Sequence, residues 1–300
     1  VSEANAGLKQ DDFPALYRAL SAQAAGAQKN VLLAVKVGLG GALVAAALGL
    51  IEIEADGVDL AALAAAIGFA FSLAATGWLL WQRPERDWYD ARAGAESVKT
   101  LTWQFAVGGG EFPLARQEDD VRTRFLARLR ELLTDLGTVR TAVAAGEEQI
   151  PAGLLVLRSA SIATRQAAYK AGRIEDQQAW YAEKAAWNTR RRLRWAIGTV
   201  LIQILGLLAG LGRAFLGLDI DFLGLAAALV AAITAWTRTK DYAELSEAYA
   251  VTAQEIGLLA AEHLDSEDEV KWSEFVETAE RAFSREHTLW RARKGHRPVG

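Results

Sequence analysis

Four apolar segments stand out of an otherwise charged chain, at about Lys36–Ile53, Leu60–Trp81, Trp195–Leu216 and Phe222–Trp236. A membrane-spanning helix needs roughly 20 predominantly apolar residues. The second and third segments meet that length. The first and fourth are shorter, rich in Ala, Leu and Gly, and charged only at their ends, as at Lys36 and Glu52. The alternative is a water-soluble bundle with four buried helices, but such helices keep a polar stripe and Leu60–Trp81 has none. Very short connections join the segments in pairs, so the pattern predicts two tandem transmembrane hairpins.

The rest of the chain reads as amphipathic helix. Val121, Phe125, Leu129, Leu132, Leu136, Val139 and Val143 follow one another at steps of three and four, the seam of helix-on-helix or coiled-coil packing. Leu245, Tyr249, Thr252, Ile256 and Leu259 repeat it more briefly, and Trp180 and Trp187 share a face with the stem of Lys184. Breaks are expected at Gly108–Gly110, Gly146–Pro151 and Asp265–Glu269, and disorder from Lys294 to Gly300. Each half runs amphipathic helix, span, short acidic turn, span, amphipathic helix. Placing Trp81-Gln82-Arg83 on Trp236-Thr237-Arg238 aligns the halves at an offset of 155. With two spans per unit the copies share one orientation, unlike inverted-repeat transporters.

Charge changes this picture by orienting it. Lys29 and Lys36, then Arg83, Arg86 and Arg92, then Arg190, Arg191, Arg192 and Arg194, then Arg238 and Lys240 flank the spans on the long segments. The two short connections are acidic: Glu52, Glu54, Asp56 and Asp59 in one, Asp219 and Asp221 in the other, with Arg213 near the latter's start. Basic flanks stay cytoplasmic, so both termini are expected on the cytoplasmic side of the membrane. Trp78, Trp81, Trp195 and Trp236 fall at the same ends, where indoles favour the headgroup layer. Hydrophobic residues make up 52% and charged ones 23%, a mixture of lipid-soluble and water-soluble composition, and a net charge of −4 argues against a nucleic-acid partner. The first thirty residues carry Asp11, Asp12 and scattered Ala, so no signal peptide is expected.

Candidate chemistry is sparse. The absence of Cys excludes disulfides and thiol nucleophiles, and His263, His287 and His296 have no metal-ligand spacing. There is no P-loop, GxSxG or HExxH, so the reading is of a non-enzyme without metal or cofactor. Gly109-Gly110-Glu111-Phe112 superficially resembles the GG[DE]EF signature of nucleotide cyclases, but that signature needs surrounding strands; a glycine break between helices suffices. Tyr169, Trp180, Tyr181 and Trp187 beside basic residues fit core and membrane interface better than a nucleic-acid surface. Small residues recur at four-residue spacing: Gly41, Ala45 and Gly49; Gly198, Gly206 and Gly210, interrupted by Ile202; Gly224, Ala228 and Ala232. They serve close packing within a hairpin or between copies. Gln203, near the middle of the third span, either bridges helices or lines a water path. Glu52, Glu54, Asp56, Asp59, Asp219 and Asp221 form a solvated rim that in a ring of subunits becomes a negative mouth attracting cations.

Trp88-Tyr89-Asp90-Ala91-Arg92-Ala93-Gly94-Ala95-Glu96-Ser97-Val98-Lys99-Thr100, continuing to Trp103, resembles the segment after the hairpin in SLATT domains. These are two-span effectors associated with nucleotide-synthesising and SLOG sensor proteins. Phe13-Pro14-Ala15-Leu16-Tyr17-Arg18 also fits. Arg173 to Ala185, with Gln177, Trp180, Tyr181 and then Asn188, is similar to the opening of another SLATT subtype, a tandem also seen in the DUF4231 group. The resemblance implies a bacterial anti-phage or conflict-system effector that permeabilises the membrane, and names no catalytic residue. It also implies a trigger, here a separate sensor protein or a nucleotide second messenger, because no nucleotide-sensing domain is visible in this sequence.

The expected architecture is an all-α membrane protein with four spans and a cytoplasmic helical bundle. Its first unit covers 1–150 (cytoplasmic helices 85–145) and its second 151–300 (helices 159–194 and 238–290). The expected function is a gated pore or membrane-disrupting homo-oligomer whose partners are the bilayer and further copies. The alternative is a non-conducting scaffold or sensor. A small-solute transporter is a third reading, weakened by the scarcity of charged residues inside the spans.

Overall fold

The computed structural model describes residues 7–136, 147–217, 222–261 and 267–295. Val139, Val143, Asp219, Asp221, His263 and His296, together with Gly146, Asp265 and Ser266 of the expected breaks, lie outside the described residues, as do residues 296–300 of the tail. The elements are α1 (Ala15–Leu48), β1 (Glu54–Ala55), β2 (Val58–Asp59), α2 (Leu60–Gln82), α3 (Pro84–Val107), α4 (Glu118–Leu136), α5 (Ala152–Arg158), α6 (Ile162–Tyr169), a π-helical segment (Lys170–Glu175), α7 (Asp176–Leu216), α8 (Phe222–Lys240), α9 (Tyr242–Ala261) and α10 (Glu269–Gly295). Among the described residues the fold is all-α apart from two antiparallel two-residue strands. It forms two compact units, one of Val1–Gln28, Glu85–Ala182 and Val251–Gly300, the other of Lys29–Pro84 and Glu183–Ala250.

The second of these holds the apolar segments of α1, α2, α7 and α8. At most 11% of any apolar window is buried within the chain, whereas a soluble bundle would make these windows its core. Phe69 is 60% exposed, Leu73 74% and Phe215 82%, a surface that only lipid or another apolar partner stabilises. Within each hairpin the helices touch through glycine. A Cβ on Gly41 would lie 2.5 Å from the Gly68 carbonyl oxygen, and one on Gly206 would lie 2.8 Å from the Ala226 methyl. Gly210 faces Leu223, while Gly198 has open space around it. The first connection is tighter than a plain turn: α1 stops at Leu48, short of the expected Ile53, and Glu54 pairs with Asp59. Asp56 (φ 51°) and Gly57 (φ 75°) make the two-residue loop, a positive-φ pair that Asp-Gly supplies readily.

α2 and α8 end alike. Arg83 (φ 45°) and Asp241 (φ 54°) are left-handed, and each donates its N–H four residues back, to Leu79 and Thr237. These joints align the halves at an offset of 158 (Arg83 to Asp241), which also puts Gly68 on Ala226 and Trp78 on Trp236. The expected offset of 155 is therefore three residues short, because the helix end, and not the Trp81-Gln82-Arg83 likeness, sets the register.

The other unit is a bundle of polar-surfaced helices. On α4, Val121, Phe125, Leu129 and Leu136 are buried and Leu132 is half-buried, so the described part of the seam packs inward. Leu136 fills the space over Gly94 of α3, where a Cβ would come within 2.6 Å of it. Phe105, Phe112 and Phe125 form a ring cluster with centroids 4.6–5.9 Å apart. On α9, Thr252 and Ile256 are buried. Asp268 caps α10 by accepting from the Val270 N–H at 2.9 Å.

Candidate functional site

In the apolar unit the polar side chains mostly answer their own backbone. Thr76, Thr199 and Thr234 donate to the carbonyls of Ser72, Trp195 and Val230 in the preceding turn. Gln203 does not fit that pattern: it is exposed on α7. At 1.5 Å per residue it sits about 12 Å along the helix from Trp195, within the ~30 Å hydrocarbon layer. It turns toward whatever lies outside the chain, and the intrachain bridge among the sequence alternatives is not what the geometry displays. In the acidic turn Glu52, Glu54 and Asp56 are exposed. Asp59 is half-buried and is the N-cap of α2, its Oδ1 accepting from the N–H groups of Ala61 (2.9 Å) and Ala62 (3.1 Å).

At the end of the hairpins that carries the basic flanks, Lys36 and Lys240 each lie over the Trp236 ring, at 5.7 and 5.8 Å. Arg191 lies 5.1 Å from the Trp187 ring, which packs at 5.8 Å on Tyr242. Asn188 is buried and donates to the Lys184 carbonyl. Cations over indoles at this level form an interfacial belt.

The remaining singled-out residues lie in the polar unit, and part of them gather in its core. Arg173, in the π-helical segment, donates through Nε to Glu280 Oε1 (2.8 Å) and through Nη2 to Glu280 Oε2 (2.7 Å). Tyr169 and Thr100 donate to the same carboxylate at 2.9 and 2.8 Å. Both ions are buried, Arg173 at 2% exposure and Glu280 at 0%. Burial alone would lower the Arg173 guanidinium pKa, but the Glu280 carboxylate reverses this and the net direction is upward. Tyr169 is pushed up by burial and then by the Glu280 charge. Lys99 is pushed down by burial and by Arg173, against the pull of Glu96, Asp176 and Glu280. Trp103 is buried edge-on to Tyr169, with ring centroids 5.8 Å apart. Its Nε1 and Arg173 Nη1 are buried without hydrogen-bond partners.

The other family-like positions sit nearer the surface. Trp88 stacks on Tyr89 at 4.9 Å, Arg92 lies 3.4 Å from Glu96 and 5.9 Å from the Trp180 ring, and Trp180 packs edge-on to the buried Tyr181. Gln177 reaches Asp176 at 3.4 Å, and Ser97 is half-buried.

Two further buried arginines escaped the sequence reading. Arg158 donates to the carbonyls of Phe105 (2.7 Å) and Phe112 (2.9 Å), and burial lowers its pKa to about 10. Arg165 donates to the Val107 carbonyl at 2.6 Å and pairs with Glu269, and Trp272 donates to the same carbonyl at 2.8 Å. Together they satisfy the end of α3, where cations are favoured. That explains Gly108–Gly110: Gly108 and Gly110 take positive φ, and a Cβ on Gly109 would collide with Val276 at 2.2 Å. Glu111 pairs with Arg124 and Arg128, and Phe112 enters the ring cluster. An arginine closing an apolar run, as in Leu154-Leu155-Val156-Leu157-Arg158, was the available signal. Among the described residues no group of His, Cys, Asp and Glu is arranged to hold a metal ion.

The family model described as SMODS and SLOG-associating 2TM effector domain 3 matches residues 14–166, and that of SMODS and SLOG-associating 2TM effector domain 1 matches residues 169–290. Neither a curated protein nor a solved structure matches the chain. The two matched stretches share the buried cluster: Thr100 and Trp103 come from the first, and Tyr169, Arg173 and Glu280 from the second.

Proposed function

Because the chain belongs to the family of SMODS and SLOG-associating two-transmembrane effector domains, present twice in tandem, we propose that it is a membrane effector of a bacterial conflict system. In this reading it acts as a homo-oligomer that opens a gated pore or disrupts the inner membrane, and it catalyses no reaction. The observation that carries the proposal is Gln203, a primary amide on the outer face of a span-capable helix. Leaving an amide unpaired in hydrocarbon costs about 4–8 kcal/mol on a cyclohexane reference, which another copy or a water path removes. Exposed Glu52, Glu54 and Asp56 supply each copy with an acidic turn on the opposite side from the Lys36–Trp236–Lys240 belt. The basic flanks support an orientation with that belt and both termini in the cytoplasm, and in this reading a separate sensor protein or a nucleotide messenger acts there on the polar helices.

Single-channel current and oligomer distribution, measured on the same preparation, test this. Gln203→Leu should abolish most of the current while assembly persists if the amide lines the path. If it only bridges copies, association weakens by about 0.6–2 kcal/mol with unchanged current per particle. Absence of any wild-type current or dye release under every trigger, with assembly intact, replaces the pore with the non-conducting scaffold. Cysteines at Asp56 and Arg86 should label from opposite sides; labelling of both from outside refutes the orientation.

A further inference from the structure

A cleft of about 320 Å³ opens between α7, α8 and the start of α9, wholly within the apolar unit. Its charged walls are Arg192 and Arg238 on one side of the charge balance, and Asp241 and Glu244 on the other. Trp195 and Tyr242 line it as well. Tyr242 is buried and Trp195 half-buried, so the aromatic wall is held in place. The left-handed Asp241, where α8 ends and α9 begins, is part of the lining, and the next residue, Tyr242, packs on Trp187 of α7.

We propose that this cleft binds the headgroup of a zwitterionic phospholipid with a primary amine, a phosphoethanolamine. The level is right: Trp195 and Trp236 stand where the apolar segments of α7 and α8 meet their basic flanks, and the cleft is lined by Trp195 and by Arg192 and Arg238 of those flanks. The size is at the lower end of small-ligand sites, about 300–1,000 Å³, which suits a headgroup. The chemistry is divided in the same way as the ligand's. Arg238 is exposed and makes no ion pair among the described residues, and Arg192 has only an exposed contact to Glu247 at 3.5 Å. A guanidinium in that condition takes a phosphate readily, by parallel charge-assisted hydrogen bonds. The Asp241 and Glu244 carboxylates would accept from an ammonium, beside the aromatic Trp195 and Tyr242 side chains of the lining. An anionic headgroup without an amine leaves the two carboxylates opposed to it. A choline headgroup has no N–H to donate. The charge pattern thus selects among lipids, and does so whether or not the protein conducts.

The full-length protein in detergent, titrated with phosphatidylethanolamine, phosphatidylglycerol and phosphatidylcholine, is read by native mass spectrometry. Phosphatidylethanolamine should be retained more tightly than either other lipid. Arg238→Gln should weaken it about tenfold or more, the loss of one hydrogen bond between charged groups. Asp241→Asn, which tolerates the left-handed backbone, and Glu244→Gln on the exposed start of α9 should each erase the preference over phosphatidylcholine. Arg190→Gln, in the same basic run but outside the cleft, should change nothing. Equal retention of the three lipids, or an Arg190→Gln effect as large as that of Arg238→Gln, overturns the proposal. Free glycerophosphoethanolamine should compete for the site. Competition by inorganic phosphate at equal strength makes the cleft a phosphate site and also overturns it.

Discussion

Glu280→Gln tests the buried cluster most directly. The substitution preserves shape but leaves the Arg173 charge without its counter-ion at 2% exposure. It also points an amide NH2 at donors, since one carboxylate oxygen receives Arg173 Nη2 and Thr100, and the other receives Arg173 Nε and Tyr169. Breaking one side of a buried pair costs about 3–5 kcal/mol. A unit of this size loses about 2–4 °C of Tm per kcal/mol, so unfolding of the polar helices should move down by roughly 6–20 °C. Thermal melting of the detergent-solubilised protein, followed by near-UV circular dichroism, reads the shift, because Trp103, Tyr169 and Trp272 pack around the pair. Arg173→Met with Glu280→Leu should be less harmful than Glu280→Gln alone, because an apolar pair leaves no charge unpaired. A Glu280→Gln Tm within about 2 °C of wild type, well below the expected range, would refute the reasoning. So would a double variant that sums the two single losses.

Three other outcomes are expected. Gly41→Ala should weaken the first hairpin by about 1–3 kcal/mol, because its Cβ would press on the Gly68 carbonyl; Gly40→Ala, with nothing within 4 Å, should be silent in the same melting assay. Phe125→Ala, at 0% exposure, should cost about 3–5 kcal/mol, and Leu132→Ala clearly less because Leu132 is half-buried; chemical denaturation ranks them. Lys99→Met should raise Tm at neutral pH, since burial and Arg173 hold the Lys99 pKa below its unfolded value. Below the folded pKa both states are protonated and the charged form carries its full burial penalty. As pH rises through the folded pKa toward the unfolded one near 10.4, the native lysine sheds its proton and gains stability, so the advantage of Lys99→Met should shrink; a constant difference across that window would contradict this.

The positions that a single helix decides were legible along the chain. The apolar runs, the Val121–Leu136 stripe and the tryptophans at the helix ends follow from a 3.6-residue period and from partition between lipid and water. The hairpin turn at Asp56-Gly57 was equally local, and reading the acids as a charged rim obscured the positive-φ signal that Asp-Gly carries. Asp59 likewise reads as a rim acid until α2 is seen to begin immediately after it, where a carboxylate caps free N–H groups.

What lay beyond the sequence depends on contacts between distant residues. Arg173 and Glu280 are 107 positions apart and each is an ordinary charge on an amphipathic helix; nothing in a periodicity says that they face one another. Arg158 and Arg165 reach α3 carbonyls 53 and 58 positions away. The repeat register shifted by three residues because backbone joints, invisible to residue likeness, set it. By itself, then, the sequence determined which helices form and which prefer lipid, since these are properties of each segment against its solvent. Only the tertiary structure decided which buried charges pair, where Gln203 points and which glycines are crossing points. Those depend on close packing between segments, which local propensity does not encode.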